Sequence, residues 1–364
     1  MKIKVLSISI LLSVILLSAC GEKPILVTAP EPAVINTESP TELPVSSEPA
    51  APKPVKYDEV TLTMNKSSLT SFAPIFIAEA EGYFAEYGIK MEYVTFNKVT
   101  DAIPLVVTGD LDMYAGSVSA GLLNVLRQED NIKVVADRGH IAPGDECTYH
   151  GLLVRKDLYD SGEITNAADL TGQSIASSTA GASGYILSTY LAEAGLNFDD
   201  VILNDIPTAG YIDAFANKSV SVIVVPELHL TRLITAGHAV LLARAEDLIG
   251  TIQLSVLAFG KNLIVDHPDV AARFLAAYLK GAQRYQEGKT ERNLQIMSEA
   301  TGESIEMLQA ACWLPIRADG SIDFAGIEGF QQWSIDQEQL EAPVTEEQFW
   351  DPSFLAAAHI LLNP

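Results

Sequence analysis

The chain is poor in cysteine, with three in 364 residues, at positions 20, 147 and 312. No CxxC pair and no HExxH helix occurs, so a zinc site has no support, and no cofactor or metal is expected. Two scattered cysteines are not a disulfide framework. A bridge between Cys147 and Cys312 is permitted outside the cytoplasm, but two buried, inert thiols are the expectation. Basic residues are also scarce: 23 Lys and Arg against 47 Asp and Glu, a formal net charge of −24. That excludes nucleic acid as a partner, because phosphate neutralisation needs clustered cations. The acidic excess reads instead as solubility. No GxSxG elbow is present. What the chain has in quantity is apolar residues, 48% of the total, enough for a sizeable core.

One apolar run stands out, Val5 to Leu17, preceded by Lys2 and Lys4. It is short for a membrane span and reads as a secretory signal over residues 1–19. It closes in Leu17-Ser-Ala-Cys20-Gly21, which resembles the bacterial lipobox. The resemblance implies cleavage before Cys20 and lipidation of that residue. The chain would then be anchored to the cell membrane on its extracytoplasmic side, since several acyl chains together hold a protein stably. The plain alternative is secretion with Cys20 as an ordinary thiol. From Glu22 to Lys56 the sequence is rich in Pro, Glu, Ser, Ala and Val without helical or strand period, so residues 20–56 are expected to form a disordered tether behind the anchor.

The organising stretch is Val60 to Ser119. Val60-Thr-Leu-Thr-Met64 alternates as a half-buried strand does. The Ser-rich segment Asn65–Ser71 follows, and Pro74 sits at the first position of a helix. Gly82 and Gly88 close turns, Lys90–Thr95 is a second strand, and a helix over about 99–107 stops at Gly109. Asp112–Gly116 is a third strand, and Ser117-Val-Ser119 opens another helix. Twice a strand runs through a Ser-rich loop into a helix start, which in an open α/β sheet is where small molecules bind.

Ser67-Ser-Leu-Thr-Ser-Phe-Ala-Pro74, Ala80-Glu-Gly-Tyr-Phe-Ala-Glu-Tyr-Gly88 and Gly109-Asp-Leu-Asp-Met113 resemble the first lobe of the ABC-importer binding proteins for aliphatic sulfonates, nitrate and thiamine pyrimidine precursors. The resemblance spans about Val60 to Tyr285. It implies an α/β fold of two lobes, the type II periplasmic-binding-protein fold, with the ligand in the cleft between them. Lobe one would take residues 57–150 and 246–364, and lobe two 151–245. The partners implied are a small-molecule ligand, an ABC permease and its ATPase, and the membrane through the anchor; the protein would be a monomer and not an enzyme. Relatives that make the thiamine pyrimidine carry a Cys-rich iron-binding segment, which this chain lacks.

In the remainder, Ile132–Ala136 reads as a strand and Asp137 to His150 as a polar loop leading to a crossing between lobes. Gly151–Arg155 is the strand that enters lobe two, and Asn166–Gly172 matches the family's turn before a strand. Gln173–Ser177 runs through Ser178–Ser183 into a helix from about Gly184 to Ala194. Ser178 and Thr179 there either cap the helix or face a ligand, and the architecture favours the second. Val201–Leu203 is a strand and Tyr211–Ala216 a short helix. Val220–Val225 is an apolar strand ending at Pro226-Glu227-Leu-His229, where Glu227 and His229 could pair with a heterocycle; Glu227 could equally sit on a helix dipole with His229 exposed. Ala239–Ala243 and Ile252–Phe259 lead back to lobe one. The helix 269–286 turns Val270, Phe274, Ala277, Tyr278 and Gly281 to the core, and the tail around Trp313, Trp333 and Trp350 is expected to pack on lobe one.

The candidate ligand residues are Ser67, Ser68, Phe72, Tyr114, Ser117, Ser119, Tyr149, Ser178, Thr179, Ser183, Glu227 and His229. A sulfonate or nitrate site needs cations or several N–H donors. These loops hold Lys66 and no Arg, with Arg138 in the crossing segment, whereas aromatics and hydroxyls suit a flat, roughly neutral ring. The preferred ligand is a heterocycle such as riboflavin, which some members of the family bind, or a pyrimidine vitamin precursor. An anionic sulfonate or nitrate is the runner-up, and a ligand-sensing surface lipoprotein the third possibility.

Overall fold

The computed structural model describes residues 56–96, 98–204, 206 and 210–363. The expected signal, Cys20 and nearly all of the expected tether lie outside the described residues. No described helix is long and apolar enough to cross a membrane.

Two sheets of five strands share one plan. In the first, β1 (Val60–Lys66) pairs in parallel with β2 (Ile89–Thr95) and β3 (Met113–Ser117). Next to β3 lies an antiparallel strand from much later in the chain, β10 (Ile252–Gly260), which in turn pairs antiparallel with β4 (Ile132–Ile141). The order is β2-β1-β3-β10-β4. The second sheet is built from β5 (His150–Arg155), β6 (Ser174–Ala176), β7 (Ile202–Asn204), β8 (Val222–Pro226) and β9 (Ala239–Arg244). Its order is β7-β6-β8-β5-β9, with β6 parallel to β7 and β8, and β5 antiparallel to β8 and β9. In each sheet the fourth strand, β10 or β5, is the one that arrives from the other lobe. The central strands are buried along their length, as expected where helices cover both faces.

The long helix Pro268–Tyr285 begins at a proline and packs on Ala73–Ala80. Gly281 permits that contact: a Cβ there would stand 2.2 Å from the carbonyl oxygen of Pro74. Phe84 stacks on Phe274 of this helix at 5.1 Å between ring centroids, and Phe259 meets the same ring edge-on at 5.7 Å. On the other side of the molecule one apolar cluster runs through both lobes. It joins Leu122 and Leu123 of the first lobe, Phe330 and Trp333 of the tail, and Ile186 and Leu187 of the second lobe.

Three expectations are corrected. The strand β4 does not stop at Ala136 but continues to Ile141, so Asp137 and Arg138 are buried strand residues, not part of a polar loop. Asp137 fits there because its carboxylate accepts from the Gly139 and Arg317 amides and from Gln253 Nε2, at 2.6–2.7 Å. The helix of the second Ser-rich loop starts at Gly181, earlier than Gly184. Cys147 and Cys312 are not free thiols: they form a disulfide with Cα atoms 5.6 Å apart. It ties the crossing segment between β4 and β5 to the tail after Ile305–Ala310, and spacing of 165 residues in sequence gave no hint of that neighbourhood.

Candidate functional site

The cleft lies at the carboxyl ends of β1, β3, β6 and β8, where each strand gives way to a loop and a helix start. It holds two abutting chambers of about 400 and 350 Å3. Leu69 from the first lobe and Pro226 from the second line both.

In the larger chamber the first lobe contributes Ser117 and Ser119, and the second lobe Ser178 and Ser183. Ser119 Oγ also accepts from the Leu122 amide at 3.2 Å, capping the helix Ala120–Gln128. The helix Gly181–Ala192 has no side-chain cap, so its first N–H groups are available at the chamber wall. The loop is pressed onto this helix: a Cβ at Gly184 would lie 2.7 Å from the Thr179 carbonyl carbon. Ser178 Oγ accepts from the Ala180 amide at 3.1 Å. Thr179 does not line the chamber, and its carbonyl accepts from Gln339 Nε2 at 2.9 Å.

Tyr149 lines this chamber, and so does His150, which sequence reasoning missed. His150 Nε2 lies 3.0 Å from Ser183 Oγ. Burial pushes the imidazole down to about 3, so it is neutral. A Ser–His contact invites comparison with hydrolytic pairs, but a general base works best with a pKa near the operating pH. His150 is a weak proton acceptor, and among the described residues no carboxylate is hydrogen-bonded to it. What the pair offers is a hydrogen-bonding surface of fixed geometry. Lys98, exposed and the single Lys or Arg lining this chamber among the described residues, was also missed.

The smaller chamber is lined by Ser67, Ser68 and His229 from the expected set, and by Arg232 and Glu303. Burial and the neighbouring Arg232 lower the His229 pKa, against the opposite pull of Glu303, and so favour the neutral ring. Arg232 Nη2 donates to Glu303 Oε1 at 2.6 Å.

Phe72, Tyr114 and Glu227, expected as ligand groups, line neither chamber. Phe72 and Tyr114 are fully buried, the usual fate of such rings in a core. The Arg138 guanidinium lies over Phe72 at 4.4 Å and donates to Ser71 Oγ at 2.8 Å. Tyr114 donates to the Ser117 carbonyl at 3.1 Å and so shapes the loop from behind. Glu227 is buried and bridges the lobes, accepting from the Cys312 amide at 2.8 Å and from Thr231 Oγ1 at 2.7 Å. Burial raises its pKa against the pull of those donors. Lys66 is engaged with the rings of Phe76 and Tyr93, at 5.4 and 5.7 Å. The cations that sequence inspection placed near the cleft are therefore turned to structural use. Among the described residues no cluster of three or more His, Cys, Asp or Glu could hold a metal ion.

Residues 69–291 match the family described as NMT1/THI5 like. The chain belongs to the NMT1/THI5-like family. The expected family and two-lobed α/β fold are both confirmed. Among curated proteins, the riboflavin-binding protein RibY of Chloroflexus aurantiacus is 24% identical over 285 residues, 77% of this chain and 74% of RibY. The ligand-binding component of an ABC-type import system from Staphylococcus aureus, solved with zinc bound, superposes with a TM-score of 0.68 at 17% identity, over 82% of this chain and 98% of that one. The alkanesulfonate-binding protein SsuA from Xanthomonas axonopodis pv. citri, bound to MOPS, gives 0.64 at 15% identity, over 81% and 99%. At these identities the solved structures speak for the fold, and a fold alone does not choose a ligand.

Proposed function

We propose that this NMT1/THI5-like chain is the substrate-binding lipoprotein of an ABC importer, capturing a flat, uncharged heterocycle such as riboflavin or a pyrimidine vitamin precursor and delivering it to a permease and its ATPase. The observation that carries the ligand class is the wall of the larger chamber: serine hydroxyls from both lobes and a neutral, buried His150. Groups of this kind donate and accept without charge, as ring nitrogens and carbonyls require. A sulfonate or nitrate site needs convergent cations or several N–H donors; Lys98 is the single Lys or Arg lining the chamber among the described residues, and the uncapped N–H groups at the start of the helix Gly181–Ala192 are what keep an anion as the second reading. The RibY relationship supports the same ligand class. Two lobes that both contribute to one cleft fit capture by hinge closure. The weak basicity of His150 supports binding rather than turnover. The proposed anchor is lipid on Cys20, behind the tether.

A thermal-shift and fluorescence panel of riboflavin, a pyrimidine precursor, a taurine-like sulfonate and nitrate tests this reading. The heterocycles are expected to raise the melting temperature and quench intrinsic fluorescence. A shift with the sulfonate or nitrate alone would overturn the ligand class, and recovery of chemically altered ligand would overturn binding without turnover. For the anchor, Cys20→Ala is expected to release the protein from membranes; a mutant that still pellets with them would refute lipidation.

A further inference from the structure

The smaller chamber is too well equipped to be mere spare volume. Its walls come from three parts of the fold: Ser67 and Ser68 after β1, His229 and Arg232 on the helix His229–Thr235, and Glu303 from the tail. It abuts the larger chamber at Leu69 and Pro226, so a ligand longer than one ring can reach from one to the other.

Its chemistry is specific. The Arg232–Glu303 bond uses one N–H of a guanidinium that has five and one oxygen of a carboxylate that has two. Both side chains keep partial exposure, 31% and 23%, so their remaining donors and acceptors face the cavity and water. The wall thus carries a donor fork beside an acceptor, two serine hydroxyls and an imidazole, with the two formal charges cancelling. An alkyl chain placed here would leave those groups unpaired, which costs free energy. A phosphate would suit Arg232 but would meet the Glu303 carboxylate 2.6 Å from the guanidinium. A hydroxyl both donates to the carboxylate and accepts from the guanidinium, and a run of hydroxyls matches the whole wall.

Building on the heterocycle reading, we propose that the smaller chamber holds an uncharged, polyhydroxylated arm carried by the ring, with Arg232 and Glu303 as the pair that selects it. The substrate class narrows from flat heterocycles in general to those bearing a polyol or sugar-like substituent without phosphate.

Titration calorimetry with three flavins tests it: riboflavin, lumichrome (the ring without the arm) and riboflavin 5′-phosphate. The intact protein is expected to bind riboflavin about tenfold or more tighter than either of the others, the size that a hydrogen bond to a charged group gives. Glu303→Gln is expected to weaken riboflavin toward lumichrome, relax rejection of the phosphate, and leave lumichrome affinity unchanged. Ser68→Ala, on an exposed loop residue, gives a milder loss for riboflavin alone and guards against a folding defect in the first variant. Equal affinity for riboflavin and lumichrome in the intact protein, or a uniform loss for all three ligands in both variants, would overturn the arm site while leaving the heterocycle reading standing. Binding of none of the three would overturn both.

Discussion

The two lobes solve the same local problem differently. Both run a parallel strand into a Ser-bearing loop and then a helix facing the cleft, and their sheets have the same strand plan. In the first lobe Ser119 caps its helix, and Tyr114 reaches round to hold the Ser117 carbonyl. In the second the helix Gly181–Ala192 has no side-chain cap, and Ser183 is turned to His150. One lobe uses its hydroxyl to cap its helix; the other engages Ser178 with the Ala180 amide and Ser183 with His150, and leaves the first N–H groups of its helix without a side-chain cap. The first lobe is therefore the more self-contained scaffold, and the second the more exposed to what a ligand supplies.

The largest effect expected from breaking this arrangement comes from the bridge that ties the crossing segment to the tail. Replacing both Cys147 and Cys312 by Ser removes a cross-link closing a loop of more than 150 residues. Stability is expected to fall by about 2–5 kcal/mol, measured by urea unfolding. Two separate transitions in that experiment would show the lobes uncoupled; an unchanged midpoint would show the bridge to be dispensable. The next effect is in acid. His150 is held neutral down to about pH 3, while an unfolded histidine takes up a proton near 6.5. Its pKa is lowered by folding, so stability is full above about 6.5 and falls as pH drops from there toward 3, by at most ~1.4 kcal/mol per pH unit. Melting curves of His150→Asn against the parent should show a shallower acid decline in the variant.

The paired serine substitutions sharpen the comparison directly. Ser183→Ala should weaken ligand binding about tenfold, roughly one hydrogen bond to a neutral group, with only a small drop in melting temperature from the lost His150 contact. Ser119→Ala should do the reverse, lowering stability by about 1 kcal/mol through the lost cap and changing affinity less than Ser183→Ala does. Equal losses of affinity in the two variants would mean that the lobes contribute alike, and the distinction drawn from capping would fall.

Much of the fold was legible because it is written in local patterns. Alternation in Val60–Met64, the glycines at 82, 88 and 109, Pro74 and the apolar face of 268–285 each fix an element within a few residues. The serine loops were legible for the same reason, since strand, loop and helix start are consecutive in sequence. His150, Lys98 and Glu303 were not, because each reaches the cleft from an element with no ligand motif of its own, and Arg232 was missed although it follows His229 by three residues on the same helix. Phe72, Tyr114 and Glu227 erred the other way: their chemistry suits a ligand, but the chain buries them against Arg138, the Ser117 carbonyl and the Cys312 amide.

By itself, then, the order of residues determined the elements, the family and the cleft-facing ends of the strands, because backbone preferences and apolar period act over neighbours. Only the tertiary structure decided which polar groups remain free at the cleft, that Cys147 meets Cys312, and that the histidine beside Tyr149 is kept neutral. Those outcomes depend on burial and on partners from 33 to 165 residues away, and neither is encoded in any short window of the chain.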